Sequence, residues 1–292
     1  MEINRALLHD FFNGLDERSR KALDSAVTKV VETKKKNGKV AVVTGSGPNI
    51  HEGVTTLIAE LIGKGIIDGV TTSSAVINHE MGGALDRVKM CDASQFGLDR
   101  TKMPRGNVFE FTDLSEEETD ILRKEMLLDE DLLKKGKSAE GRMVIKAAGN
   151  MAYPMGLRTE KIAEEILTLS RLSGLPFETI AGWGCDSRTM LGVGAEKGVP
   201  VLVTIPQMVG GGHVGLAVGD SIPVAERSKR IADMLGKADV IIESAVALTQ
   251  DIHDGPFETY TGHGIWSWWQ GQPVYSLEKK TLIRFDLDEN LR

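Results

Sequence analysis

"KVAVVTGSGPNIHEGVTTLIAELIGKGIIDGVTT", residues 39–72, is the stretch on which the fold turns. Lys39 to Thr44 is a short, β-branched run without polar alternation, the mark of a strand buried on both faces. Gly45 and Gly47 break that run. The next apolar positions, Val54, Leu57, Ile58 and Leu61, return at helical spacing from about Glu52 to Gly63. Gly65 to Thr72 then supplies a turn and a second strand. Strand, helix and strand in this order make a βαβ unit, which requires a parallel sheet and a right-handed crossover. Ile50 stands where a dinucleotide fingerprint carries its third glycine. Ser46 and Asn49 still offer hydrogen bonds, Gly47 lets the backbone approach a ligand, and the helix behind the turn favours anions. A plain strand-to-helix turn capped by Asn49 fits these residues equally well.

Working outward, the same grammar recurs. Apolar positions at helical spacing over residues 3–36 predict one or two leading helices, stopped at Asn37-Gly38. Residues 75–88 read as a helix. A second unit follows Arg158: helices to about Leu172, after Pro176 and over Ser187–Lys197, a strand Val199–Thr204, a helix Pro223–Leu235 and a strand Asp239–Ile242. Residues 281–286 alternate and suit an edge strand. Between the units the pattern loosens. A capping box, Ser115 with Glu118, opens a charged helix running to about Lys135. The expectation is one α/β domain over residues 1–292, a doubly wound and mostly parallel Rossmann-like sheet. A helical extension covers 1–38, and a peripheral loop and helix insertion covers 89–141.

Composition narrows the function classes. The formal net charge of -7 and the absence of clustered Lys and Arg beyond Lys34–Lys36 argue against nucleic-acid binding. No apolar run approaches the roughly 18 residues of a membrane span. The charged N-terminus has no signal-peptide core, so a cytoplasmic protein is expected. Two cysteines, Cys91 and Cys185, make neither a disulfide framework nor a thiolate zinc site.

In an open parallel sheet ligands bind beyond the carboxyl ends of the strands. The strands read here end at Thr44, Thr72, Thr204 and Ile242. The segments after them hold His51, His79, His213, His253 and His263 among glycines, hydroxyls and acids. Gly210, Gly211 and Gly212 are consecutive, which costs backbone entropy and suits close approach of a ligand or a mobile loop. His263, between glycines and ahead of Trp266, Trp268 and Trp269, is a candidate acid or base near neutral pH. A metal-dependent hydrolase or lyase using His51, His79 and His213 is an alternative, although no H-E-x-x-H spacing is present. A non-catalytic ligand-binding or structural oligomer is another.

Three pieces, "GSGPNIHEGVTTLIAELIGKGIIDGVTTSSAV", "GAEKGVPVLVTIPQMVGGGHVG" and "ADVIIESAVALTQDIHDG", resemble deoxyhypusine synthase in content and order from about Lys39 to Gly264. That family uses NAD to move an aminobutyl group from spermidine to a lysine. The resemblance implies that Asn49 lies near a pyrophosphate and that Thr72 and Ser73 line the cofactor. It further implies that Ser244 and Ala245 follow the last strand as its Thr-Ala pair, that Asp254 lies in an acidic substrate loop, and that the chain is a homotetramer; a dimer is the alternative homo-oligomer. The stretch comparable to the family's lysine loop, "ETYTGHGIWSWW", contains no lysine, and His263 occupies the nearest position. An imidazole cannot form the imine, so the expectation is a divergent member with altered chemistry. It is expected to bind NAD or a related nucleotide-like ligand through Ser46, Gly47, Asn49, Thr72, Ser73, Gly210, Gly211, Gly212, Ser244 and Ala245. It is expected to act on a small polar substrate with His263, Glu243 and Asp254.

Overall fold

The computed structural model of the protein describes residues 4–45, 54–83, 85–103, 107–147, 149, 151–205, 211–244, 266–269, 272–277 and 279–285. Two helices lead in, α1 (Arg5–Gly14) and α2 (Glu17–Lys35). Each starts on a side-chain cap, Asn4 accepting from the Leu7 N–H and Asp16 from the Ser19 N–H. The expected βαβ unit follows as β1 (Val40–Thr44), α3 (Val54–Gly63) and β2 (Gly69–Ser73), with α4 (Ser74–Met81) directly after β2.

The helix expected over residues 75–88 stops at Met81, because Gly82 and Gly83 follow and Gly83 takes φ +128°. The chain then builds three strands that were not expected: β3 (Asp86–Asp92), which begins inside the expected helix, β4 (Val108–Thr112) and, further on, β5 (Gly141–Lys146). They pair antiparallel in the order β4-β3-β5. Ser115 and Glu118 do form a capping box, but the charged helix is two helices, α5 (Glu116–Glu125) and α6 (Glu130–Ser138). The pair has its own small core, in which Phe111 packs on Leu122, Leu128 and Leu133.

The α/β pattern resumes with α7 (Met155–Ser173), α8 (Phe177–Gly182), α9 (Met190–Lys197) and β6 (Val201–Ile205). The segment expected to be a glycine loop becomes helix α10 (Gly212–Ser221), since Val214, Ala217 and Val218 return at helical spacing and are buried. Then come α11 (Val224–Lys237), β7 (Val240–Ser244), a hairpin of β8 (Trp266–Trp269) with β9 (Gln272–Ser276), and β10 (Thr281–Phe285).

The main sheet has five strands in the order β10-β7-β1-β2-β6, with every pairing parallel. The chain moves from β1 to β2 on one side and returns to β7 on the other, so the sheet is doubly wound. Alternation along the strands divides the core in two. Val42, Val70, Val201 and Val203 face a larger core built with α3, α4 and α7 to α10. Ala41, Val43, Leu202 and Ile241 face a smaller one closed by Ile231, Ala232 and Leu235 of α11. β10 is the expected edge strand. Among the described residues, no helix is long and apolar enough to cross a membrane.

Candidate functional site at the carboxyl edge of the sheet

β1 and β7 run in register to their ends, with Thr44 opposite Ser244, and β2 ends beside β6 with Ser73 opposite Ile205. A register shift between Thr72 and Ser73 breaks the ladder there, leaving backbone off the regular pattern at the strand end. Because the order of strands reverses about β1, the crevice between β1 and β7 is the place where such sheets take ligands. The side chains at this edge are hydroxyls. Thr44, Thr71, Thr72 and Ser73 are each 0–2% exposed, and among the described residues none of their hydroxyl oxygens has a hydrogen-bond partner. Thr44 lies on the face of Val42, and Thr72 on the face of Val70, by strand alternation. A buried hydroxyl without a partner costs on the order of 1–3 kcal/mol, so such groups are normally satisfied. Thr204 differs: its hydroxyl donates to the Thr72 carbonyl at 3.1 Å.

Helix α4 starts at once after Ser73, and all eight of its residues are buried. Besides Ser74, three polar side chains near its end therefore enter the core together. Asn78 donates its amide to the Gly211 carbonyl at 2.9 Å, and among the described residues its Oδ1 has no partner. Gly212, with φ +55°, opens α10 beside it. His79 is 4% exposed and presses on the turn at Gly149, where a Cβ would stand 2.5 Å from Nδ1. Glu80 accepts from the Met190 and Leu191 N–H groups at 3.1 and 2.9 Å, and from the Thr55 hydroxyl. It thus caps the N-terminus of α9 with a carboxylate. Burial pushes its pKa up to about 7 against the pull of those three hydrogen bonds. Asp86 is likewise raised to about 6, first by burial and then by Glu118 and Asp186, with Arg188 opposing.

Thr72 and Ser73 thus lie at the strand ends where the sequence reading puts them. Gly211 and Gly212 do not form a loop but cap and begin α10, because the apolar residues after them complete a helix. Ser244 is the last residue of β7. Glu243 is 5% exposed and faces Arg284 of β10, whose guanidinium stands 3.3 Å away, directly across the ladder. Ser46, Gly47, Asn49, Gly210, Ala245, Asp254 and His263 lie outside the described residues, as do His51 and His253. His213 is half-exposed on α10; its N–H donates to Glu160 at 2.9 Å and its ring lies 3.7 Å from Glu164. Among the described residues, no group of three His, Cys, Asp or Glu side chains could hold a metal ion. Thr44, Asn78 and Arg284 were not singled out from sequence. Thr44 was legible as a strand end, whereas the other two depend on long-range packing.

No protein-family model and no curated protein sequence matches the chain. Solved structures similar to it include a variant of AgrE in binary complex with L-arginine, at 11% identity over 78% of this chain and 25% of that one, TM-score 0.42. AgrE in ternary complex with ornithine and NAD+ is 12% identical over 88% of this chain and 27% of that one, TM-score 0.43. A conserved putative LOR/SDH protein from Methanococcus maripaludis S2 is 11% identical over 82% of this chain and 53% of that one, TM-score 0.42. The chain spans from a quarter to about half the length of these proteins. Similarity at this level says nothing of ligand or reaction.

Proposed function

We propose that the protein is an enzyme that binds NAD or a related nucleotide-like ligand along the carboxyl edge of its parallel sheet and acts on a small polar substrate there. The observation that carries this reading is the group of buried hydroxyls at the ends of β1 and β2, Thr44, Thr72 and Ser73, without hydrogen-bond partners among the described residues. A polar ligand rich in acceptors and donors would satisfy them, and the reversal of strand order about β1 puts the switch point at which such sheets take ligands at the same edge. Glu243, at the end of β7, is the described acid on this edge and is oriented by Arg284. His263 and Asp254 are the further candidates for proton transfer and substrate contact. The likeness to deoxyhypusine synthase fits this placement of the ligand. Hypusine formation is not proposed, because the lysine that would carry it is missing. The reading includes a cytoplasmic homo-oligomer; Leu7, Leu8 and Phe11 of α1, each about half-exposed or more, offer an apolar contact surface.

Thermal unfolding in the presence of NAD+, NADH, NADP+ and ATP, each added separately, tests the ligand class. A ligand at one hundred times its dissociation constant stabilises the fold by about 2.7 kcal/mol. At least one of the four is expected to raise the melting temperature by several degrees. Four unmoved transitions at millimolar ligand would remove the nucleotide from the proposal.

A further inference from the structure

The opposite end of the same strands carries a cavity. A cleft of about 370 Å³ opens between the first residues of β1, β2 and β6 and the last two turns of α11. Its floor is apolar, formed by Val40, Ala41, Pro200 and Leu202. Gly69 gives it depth: a Cβ at this position would meet Met234 Sδ at 2.5 Å, so the methionine lies over the bare backbone of β2. The cleft exists because the two faces of the sheet are covered unequally. Among the described residues, α11 is the one helix contributing to the smaller core, whereas α3, α4 and α7 to α10 crowd the other face.

Charged side chains line the rest of the cleft, and among its three cations Lys39 pairs with Asp68 and Arg230 with Glu226. Lys39, Arg230 and Lys237 stand there against two acids, Asp68 and Asp233. Both acids are already engaged. Asp68 accepts from Lys34 at 2.7 Å, from Lys39 at 2.9 Å and from the Val40 N–H at 2.9 Å. Burial acts to raise its pKa, but these bonds prevail and hold it below the usual carboxylate value. Asp233 is held by Lys229 at 2.7 Å. Lys237 ends α11 and is exposed, and no acidic side chain pairs with it among the described residues. An apolar floor, a flexible thioether wall and an uncommitted ammonium at the rim describe a receptor for one kind of molecule.

We propose that this cleft binds a small amphiphilic organic anion, with an aromatic or branched apolar body on Ala41, Gly69 and Leu202 and its acidic group at Lys237. The volume lies near the lower end of the range for small-molecule pockets, roughly 300–1,000 Å³, which suits a body of one or two rings. Met234 swings to admit it. The cleft is independent of the hydroxyl-lined edge, and neither site needs the other.

The test is fluorescence titration of the whole chain with anilinonaphthalene sulfonate and, separately, with its neutral parent phenylnaphthylamine. The sulfonate is expected to saturate a single site and to bind more tightly than the parent. Lys237→Glu, a change at an exposed position, is expected to weaken the sulfonate at least about tenfold and leave the parent unchanged, because reversing one charge acts only on a charged ligand. Met234→Trp fills the cleft and is expected to abolish both. Absence of saturable binding, or a sulfonate affinity indifferent to Lys237→Glu, overturns the proposal even if the tryptophan variant fails to fold.

Discussion

Glu80 illustrates how far a residue's role depends on partners that its sequence neighbours do not disclose. In sequence it is only the neighbour of His79, one of the histidines of the metal alternative. In the fold it caps α9 through backbone groups of Met190 and Leu191, more than a hundred positions away. Its pKa, raised by burial to about 7, makes a stability prediction whose sign is fixed. A folded-state pKa above the unfolded value means that the native state holds the proton more tightly. The contribution is therefore fully present below about pH 4.5 and lost as pH rises through 7, a swing on the order of 3 kcal/mol. Asp86, raised to about 6, acts in the same direction. Denaturant unfolding should show stability falling between pH 5 and 8. Glu80→Gln should flatten that slope and cost about 1 kcal/mol at pH 5, where one amide oxygen cannot replace the two oxygens of the protonated carboxyl. An unchanged slope in the variant would show that Glu80 does not titrate in this range. Thr72 and Ser73 were legible from sequence as polar residues ending a strand. Their lack of partners was not, because burial is a property of the packed sheet.

At the scale of elements, the outer edge of β6 shows how the sheet ends without inviting another strand. The Val203 N–H donates to Glu178 of α8 at 3.1 Å, and Arg227 of α11 donates to the Val203 carbonyl at 3.4 Å. The two side chains pair at 2.6 Å and are almost fully buried. Arg227 also reaches the Val218 carbonyl and the Ser221 hydroxyl, tying α8, α10, α11 and β6 together. Arg227→Met should cost about 3–5 kcal/mol by leaving a buried carboxylate unpaired. Adding Glu178→Gln, which keeps an acceptor for Val203, should recover a substantial part in chemical denaturation. Equal destabilisation in the single and double variants would mean that the pair is not what closes this edge. The strands of the main sheet were readable because they are short apolar β-branched runs. β3, β4 and β5 were not, since DRVKMCD, VFEFT and GRMVIK mix charge with alternation over few residues. α10 was hidden by the glycines that begin it, though Val214, Ala217 and Val218 kept the helical period.

For the whole molecule, the order of strands decides where chemistry can occur, and this was the least readable feature. The βαβ signal predicts parallel neighbours for β1 and β2. It does not place β7 on the far side of β1 or β6 beyond β2, because those pairings join segments more than a hundred residues apart. Once formed, the order gives the sheet two unlike ends: a carboxyl edge with hydroxyls unpaired among the described residues, and an amino edge with an apolar cleft and Lys237 at its rim. Hydroxyls kept for a ligand weaken the empty protein and strengthen the complex, whereas hydroxyls that merely fill a strand affect neither binding nor ligand choice. The most direct measurement is therefore made on Thr44→Val/Thr72→Val. Its unliganded stability is read by denaturant unfolding, and its affinity for the tightest of the nicotinamide and adenine nucleotides by calorimetry. The predicted result is an empty protein at least as stable as the parent, together with an affinity reduced about tenfold or more, equivalent to roughly 1.4 kcal/mol. An affinity equal to that of the parent, or no nucleotide binding by the parent at all, would contradict the assignment of this edge as the ligand site.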